Sequence, residues 1–322
     1  MPFLGLLLVV GLFVGLLAIF EADNVARFLS LRNLQTIVTQ SVIVGIGALG
    51  MTVVISGGGI DLSAGSQIAL SSVVCALVLV GFGGEAGEAV GWVGVVVALL
   101  ASLVVGGLVG VFNGGVTCAL RLPPFIVTLG TMMMGRGVAE WVAGQVQVRT
   151  PANPLQDFMA RNPEPEWLIF APGVWLLLVL LVAVGFLLRW TVFGRYVYAM
   201  GNNETAARFS GVPVAKVRIW TYVLAGGFFG VAGAMSYAFL GSGDPTTGVA
   251  KELDIIAAVV IGGGSLSGGR GSALGSVVGA LIMTVLVNGC SMLNVPDPAQ
   301  KVIIGAIIIG AVGVDEWRKR KS

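Results

Sequence analysis

The chain has 322 residues, of which 56% are hydrophobic and only 11% charged, with a formal net charge of +2. A soluble protein carries about 25% charged residues, so this chain has too little polar surface to face water. It reads as a polytopic protein of the lipid bilayer, and no basic patch suited to a nucleic-acid partner is present. The first apolar run, Phe3 to Phe20, has no basic region before it and no small-residue cleavage site after it, and is read as an uncleaved span. Further runs of span length come at 36–56, 64–82, 92–112, 125–144, 174–192, 219–240, 252–264, 271–290 and 299–314. They predict an all-α fold of about ten transmembrane helices in a single domain over 1–322, the eighth short. The runs lack the two-residue alternation of a β-barrel strand.

Glycine contributes 49 residues, many inside the spans, which predicts close helix packing or helix breaks beside a cavity. Basic residues set the orientation. With the N-terminus inside, the inner connections hold Arg121, Arg189, Arg195, Arg208, Lys216, Arg218, Arg270, Arg318, Lys319, Arg320 and Lys321. The outer ones hold Arg27, Arg32, Arg149, Arg161, Lys251 and Lys301. That bias predicts both termini on the cytoplasmic side. The outer connection 145–173 carries Pro151, Pro154, Pro163, Pro165 and Pro172, and reads as an ordered cap rather than a domain.

Histidine is absent, which removes the commonest general base and metal ligand. Cys75, Cys118 and Cys290 lie in or beside apolar runs without metal spacing and read as small buried hydrophobes. Neither a metal site nor a catalytic residue is expected. The stretch GGGSLSGGRGS at 262–272 holds Leu266-Ser267-Gly268-Gly269-Arg270, one residue from the LSGGQ loop of ABC-type ATPases. No Gly-Lys pair exists to build a phosphate loop, so the match is a coincidence and this chain binds no nucleotide cofactor. A twin stretch occurs earlier: VVISGGGIDLSAGS at 53–66 parallels VVIGGGSLSGGRGS at 259–272. Both are expected to be cytoplasmic helix breaks near the inner mouth of a pathway.

The longest inner connection contains GNNETAARFSGVPVAKVRIW at 201–220. Asn203 suits a helix N-cap, Glu204 to Arg208 a short helix, Gly211 its end, and Pro213 the start of the next. The result is a short helix lying across the cytoplasmic surface, either facing headgroups or docking a soluble partner.

At this point a resemblance becomes explicit. The motifs are GGGIDLSAGS at 57–66, GVFNGGVTCALRLPPFIVTLGTM at 110–132, GRYVYAMGNNETAARFSGVPVAKVRIWTYVLAG at 194–226 and ELDIIAAVVIGGGSLSGGRGSALGSVVGALI at 252–282. Together they resemble the permease subunit of bacterial monosaccharide ABC importers of the ribose type. The resemblance implies a multi-pass protein of the bacterial inner membrane that pairs with a second permease chain, in all expectation a homodimer. It also implies a cytoplasmic ATP-binding cassette protein, which binds ATP and Mg, and a periplasmic sugar-binding protein. The cytoplasmic coupling region would then be about 194–218, with Asn203, Glu204, Ala206, Ala207, Arg208, Gly211, Val212 and Pro213 at its ATPase contact.

Polar groups inside a membrane are costly and usually functional. Candidates for the pathway or its gate are Gly58, Asp61, Ser63, Asn113, Phe125, Thr128, Gly263, Ser265 and Asn288. Asp61 or Ser63 could equally cap the next helix, and Asn288 could make an interhelical bond. Arg136 is expected to pair with Glu140 one turn on. An ion-coupled secondary transporter would place acidic or histidine relays deep in the spans, whereas these carboxylates cluster at span ends. Permeases for nucleosides or branched-chain amino acids remain the near competitors on substrate.

Overall fold

The structure is a computed structural model that describes residues 2–84, 88–160 and 168–319. Arg161, Pro163 and Pro165 of the Pro-rich connection, and Arg320 and Lys321 of the terminal basic run, lie outside the described residues.

The described chain is helical almost throughout. In order the helices are α1 (Pro2–Phe20), α2 (Asp23–Phe28), α3 (Leu31–Ser56), α4 (Ala64–Gly83), α5 (Trp92–Leu120), α6 (Pro124–Val142) and α7 (Pro172–Trp190). Then come α8 (Val192–Asn202), α9 (Glu204–Phe209), α10 (Val214–Leu240), α11 (Lys251–Ile261), α12 (Ala273–Met292) and α13 (Asp297–Lys319). All ten apolar runs coincide with helices, the short eighth with the 11 residues of α11. Seven helices, α1, α3, α4, α5, α7, α10 and α12, are long and apolar enough to cross a membrane. The remaining three of the ten are α6, which carries Arg136 and Glu140, the short α11, and α13 with its charged end.

The core is built around α3, α4 and α10, whose buried residues run along most of their length. Side-chain size decides how closely helices meet here. On α5, Ser102, Gly106, Gly110 and Gly114 recur every fourth residue and face Gly230, Gly226, Tyr222 and Ile219 of the antiparallel α10. A methyl group at Gly106, Gly110 or Gly230 would overlap backbone of the facing helix, so only glycine permits this approach. The α11–α12 pair repeats the device, Gly262 against Gly275 and Gly279 against Ala258.

Connections gather at two ends. One end carries a two-stranded antiparallel ribbon, β1 (Val148–Arg149) with β2 (Ser242–Gly243), in the register Val148 to Gly243. The described part of the Pro-rich connection is held there: Tyr237 Oη lies 2.5 Å from Thr150 Oγ1 and accepts from Asn153 Nδ2 at 2.7 Å. Arg136 belongs to this end as well, and here the expectation is corrected. Its guanidinium donates to the carbonyls of Pro245 and Thr247, both at 2.7 Å, and no Arg136–Glu140 ion pair occurs among the described residues. The turn presents two carbonyls to the guanidinium at once, and each bond is strengthened because its donor is charged.

The other end is marked by α9. The breaks at 57–63 and 262–272, the α5–α6 turn at 121–123 and the α8–α10 segment all meet there. The cysteines divide: Cys75 and Cys290 are buried, whereas Cys118, near this end, is partly exposed.

Candidate functional site

The twin glycine stretches fold alike. Helix α3 ends with Gly58 donating to the Ile55 carbonyl and Gly59 to the Val54 carbonyl, both at 3.0 Å. Helix α11 ends with Gly263 donating to Val260 at 2.9 Å and Gly264 to Val259 at 2.8 Å. Each is a Schellman cap, and each needs a left-handed residue, supplied by Gly58 (φ 79°) and Gly263 (φ 94°). The shared VVI-glycine pattern is therefore one cap geometry written twice.

Beyond their caps the two breaks diverge. After Gly263, Ser265 is buried, its hydroxyl 3.0 Å from that of Ser267, and its N–H reaches the Arg270 carbonyl at 3.1 Å. Ser272 then caps α12 through the N–H of Gly275. After Gly58, the chain dives into the protein. Asp61 and Ser63 are both fully buried. The expectation that either residue caps α4 is corrected, because Ser63 makes no side-chain cap bond. Instead Asp61 Oδ1 accepts from the backbone N–H of Ser63 at 2.9 Å and from its hydroxyl at 2.5 Å. Asn113 Nδ2 and Gln67 Nε2 donate to Ser63 Oγ at 2.9 and 2.8 Å, and each lies 3.4 Å from Asp61 Oδ2. Thr128 bridges the same loop, donating to the Ile60 carbonyl at 3.3 Å and accepting from Leu62 N at 3.1 Å. A buried carboxylate without a cationic partner is tolerable only when several donors converge on it. Here its own loop, α4 and α5 provide them. The cost appears on the far side, where Asn113 Oδ1 and Gln67 Oε1 are buried without a partner.

Thus Gly58, Asp61, Ser63, Asn113 and Thr128 come together as one cluster. Phe125, at the start of α6, turns its ring outward, 51% exposed, and contributes only its carbonyl to Thr128. Asn288 lies elsewhere, at the ribbon end, where it exchanges amide hydrogen bonds with Asn33. Gln67 and Tyr222 were not among the sequence candidates. Tyr222 Oη donates to the Ile60 carbonyl at 3.4 Å. A lone glutamine three residues into an apolar helix was the legible signal; Tyr222, in a run of ordinary aromatics, offered none.

The α8–α9 segment is tied to this cluster. Asn203 Oδ1 accepts from Ala206 N at 2.9 Å, capping α9, and Gly211 (φ 84°) closes it, with Val212 N donating to the Ala207 carbonyl at 3.0 Å. Ala207 is buried under the helix, and Pro213 leads into α10. Glu204 anchors α9 through ion pairs to Arg208 at 2.9 Å and Arg218 of α10 at 2.5 Å. Partial burial pushes the Glu204 carboxyl up, but the hydrogen bonds and charges of Arg218 and Arg208 outweigh it and hold it below its ordinary value. Immediately before α9, Gly201 touches both breaks. Its backbone packs on Ser56 and Gly58 at one and on Gly268 and Gly269 at the other, and Gly269 N donates to the Ser56 carbonyl at 3.0 Å. Tyr198 Oη adds a bond to the Gly271 carbonyl at 2.8 Å. A cleft of about 720 Å³ opens beside α9, lined by Gly58, Arg121, Glu204, Arg208 and Arg218. Among the described residues no cluster of metal-ligating side chains occurs.

Long apolar helices, glycine seams and a buried polar cluster joined to a short surface helix define a multi-pass membrane transport subunit. Residues 33–312 match the family model described as the permease component of branched-chain amino acid transport systems. The chain is 38% identical to the ribose import permease protein of Escherichia coli strain K12, over 91% of this chain and 88% of that one. It is 38% identical to the ribose import permease protein of Bacillus subtilis strain 168, over 99% and 95%. The xylose transport system permease protein of Escherichia coli K12 is 31% identical, over 99% and 93%. No solved structure matches. The chain belongs to this family of ABC-importer permease components, in its ribose-type branch, and is a transport subunit of the inner membrane rather than an enzyme.

Proposed function

We propose that this chain forms the translocation pathway of an ATP-driven importer for a monosaccharide, a ribose-like pentose or a hexose. The observation that carries the reading is the 38% identity to two ribose import permeases over nearly the whole of both chains. Ten helices cross the bilayer with both termini in the cytoplasm, as the basic residues at the α9 end and in the terminal run suggest. A second permease chain, identical to this one, completes the pathway. A separate cassette protein binds ATP and Mg and grips α9, with Asn203 to Pro213 at the contact and the arginine-lined cleft beside it. A periplasmic binding protein delivers the sugar at the ribbon end.

Gly201 supplies the physical link. Movement of α9 pulls α8, and α8 holds the two helix breaks against each other. ATP binding and release would thus bias the cluster around Asp61 between two arrangements, which is what alternating access requires. Reconstitution in proteoliposomes with the cognate ATPase and binding protein tests the reading: labelled ribose or xylose should accumulate only when ATP is supplied to the ATPase. The family description names branched-chain amino acids and so supplies the second reading. Accumulation of leucine but no monosaccharide would establish that one instead.

A further inference from the structure

A groove runs down the ribbon-end half of the molecule between α3 and α12. On α3, Asn33, Thr36 and Gln40 succeed one another at spacings of three and four, which places them on one helical face. On α12, Thr284, Asn288 and Ser291 do the same. The two stripes meet at the reciprocal Asn33–Asn288 amide pair, with bonds of 3.1 and 3.0 Å. Two cavities lie along this line. The first, of about 500 Å³, surrounds that amide pair and is walled by Arg27, Arg32, Thr36 and Asn294. The second, of about 330 Å³, lies one turn further along both helices, at Gln40, Val44 and Thr284. There Phe239 of α10 and the Lys251–Asp254 ion pair of α11, at 3.1 Å, join the wall.

The second cavity has the make-up of a site for a small neutral polyol. Its volume sits at the lower end of the range for small-molecule pockets, about 300–1,000 Å³. The Gln40 side chain, half-buried within a span, makes no hydrogen bond among the described residues. An amide left unpaired at that depth is costly, and a ligand hydroxyl would satisfy it. Thr284 donates to the Ala280 carbonyl at 3.0 Å and keeps its lone pairs free, and the Ser236 and Thr247 hydroxyls lie 3.2 Å apart on the opposite wall. Phe239, 40% exposed, offers an aromatic face.

We infer that the cavity between Gln40, Thr284 and Phe239 is a resting site for one monosaccharide ring, and that the Asn33–Asn288 cavity is its entrance. The Gln40 amide both donates to and accepts from neighbouring ring hydroxyls, Thr284 accepts from another, and Phe239 covers the ring's C–H face. This rests on the monosaccharide reading above. It also assigns a task to Asn288, which stands apart from the Asp61 cluster.

The test uses the reconstituted complex of permease, ATPase and binding protein. Gln40→Ala should lower uptake of labelled ribose or xylose about tenfold at sub-saturating sugar, because a ring hydroxyl left without its partner penalises binding, and Phe239→Ala should do about the same by stripping the apolar cover from the C–H face. Gln40→Asn should restore part of it, and sugar-free ATP hydrolysis should stay at the wild-type rate in all three, which excludes misfolding as the cause. A second readout needs no turnover. With Cys118 replaced by Ser, a Gln40→Cys chain should be alkylated by a maleimide, and saturating sugar with its binding protein should slow that reaction while leucine should not. Wild-type uptake by both alanine variants, in a system whose wild type moves sugar, would overturn the site alone. A wild type that moves leucine and no monosaccharide would overturn the functional reading and this inference with it.

Discussion

Gly201→Ala is the most exacting probe of how the α9 segment is joined to the helix breaks. The added methyl would lie under 3.0 Å from the Ser56 carbonyl oxygen and from Gly269 N, both backbone atoms with no rotamer to yield. Overpacking of this kind costs about 1–3 kcal/mol. Relief requires Ser56 and Gly269 to separate, which breaks their 3.0 Å hydrogen bond at a further cost of about 0.5–1.5 kcal/mol. The total, about 1.5–4.5 kcal/mol, falls on one arrangement of the breaks and corresponds to a roughly 10- to 1,600-fold change in their equilibrium. The assay is sugar uptake and ATP hydrolysis by the reconstituted complex. The variant should insert normally and retain sugar-free hydrolysis, while uptake falls by that factor. Gly185→Ala is the matched control, since nothing lies within 4 Å of its added methyl. Wild-type uptake by Gly201→Ala would refute the idea that Gly201 carries the coupling.

The glycine seam allows a similar contrast: Gly106→Ala or Gly230→Ala should cost about 1–3 kcal/mol and lower the unfolding temperature in detergent, whereas Gly107→Ala, which meets nothing, should not. Asp61→Asn replaces an acceptor of four donors with a group that must turn one N–H toward them. Uptake should fall by a factor matching about 1–3 kcal/mol, and a leucine there should be worse. Glu204→Arg sets three cations together at α9, and Gly211→Pro demands a φ near −65° where the chain holds 84°; either should abolish uptake and leave the protein in the membrane. The Glu204 carboxyl sits below its ordinary value when folded, so its ion pairs stabilise α9 fully above the ordinary glutamate range. Coupling should therefore hold from neutral pH down to about pH 5 and weaken only as pH falls through the lowered value, a profile that Glu204→Gln should flatten.

The long apolar helices were legible because length and apolarity are imposed by the bilayer, a requirement each helix meets alone. So was α9, whose Asn203 cap and Gly211 terminator are local chemistry. Helices α2 and α8 were not, being short pieces among mixed residues whose helicity depends on what they pack against. The same divide runs through the site. Asp61 and Asn113 stood out as polar residues in apolar surroundings, but their meeting, 52 positions apart, is a product of packing. Arg136 shows the opposite failure: Glu140 was the nearest partner in sequence, yet two carbonyls more than 100 positions away hold the guanidinium. Asn33, the partner of Asn288, sits 255 positions from it.

The seam between α5 and α10 constrains whatever motion this protein makes. From Ser102 to Gly114 the two helices meet backbone to backbone over about 18 Å. Such a joint has few side chains to re-pack, so a small slide in either direction drives backbone into backbone. The pair must travel as a single strut. Shape change is then left to the flanks, where α3 meets α11 and α12 mostly through side chains and where both the helix breaks and the polar groove are found. The glycines that make half of the molecule rigid thereby decide which half can move.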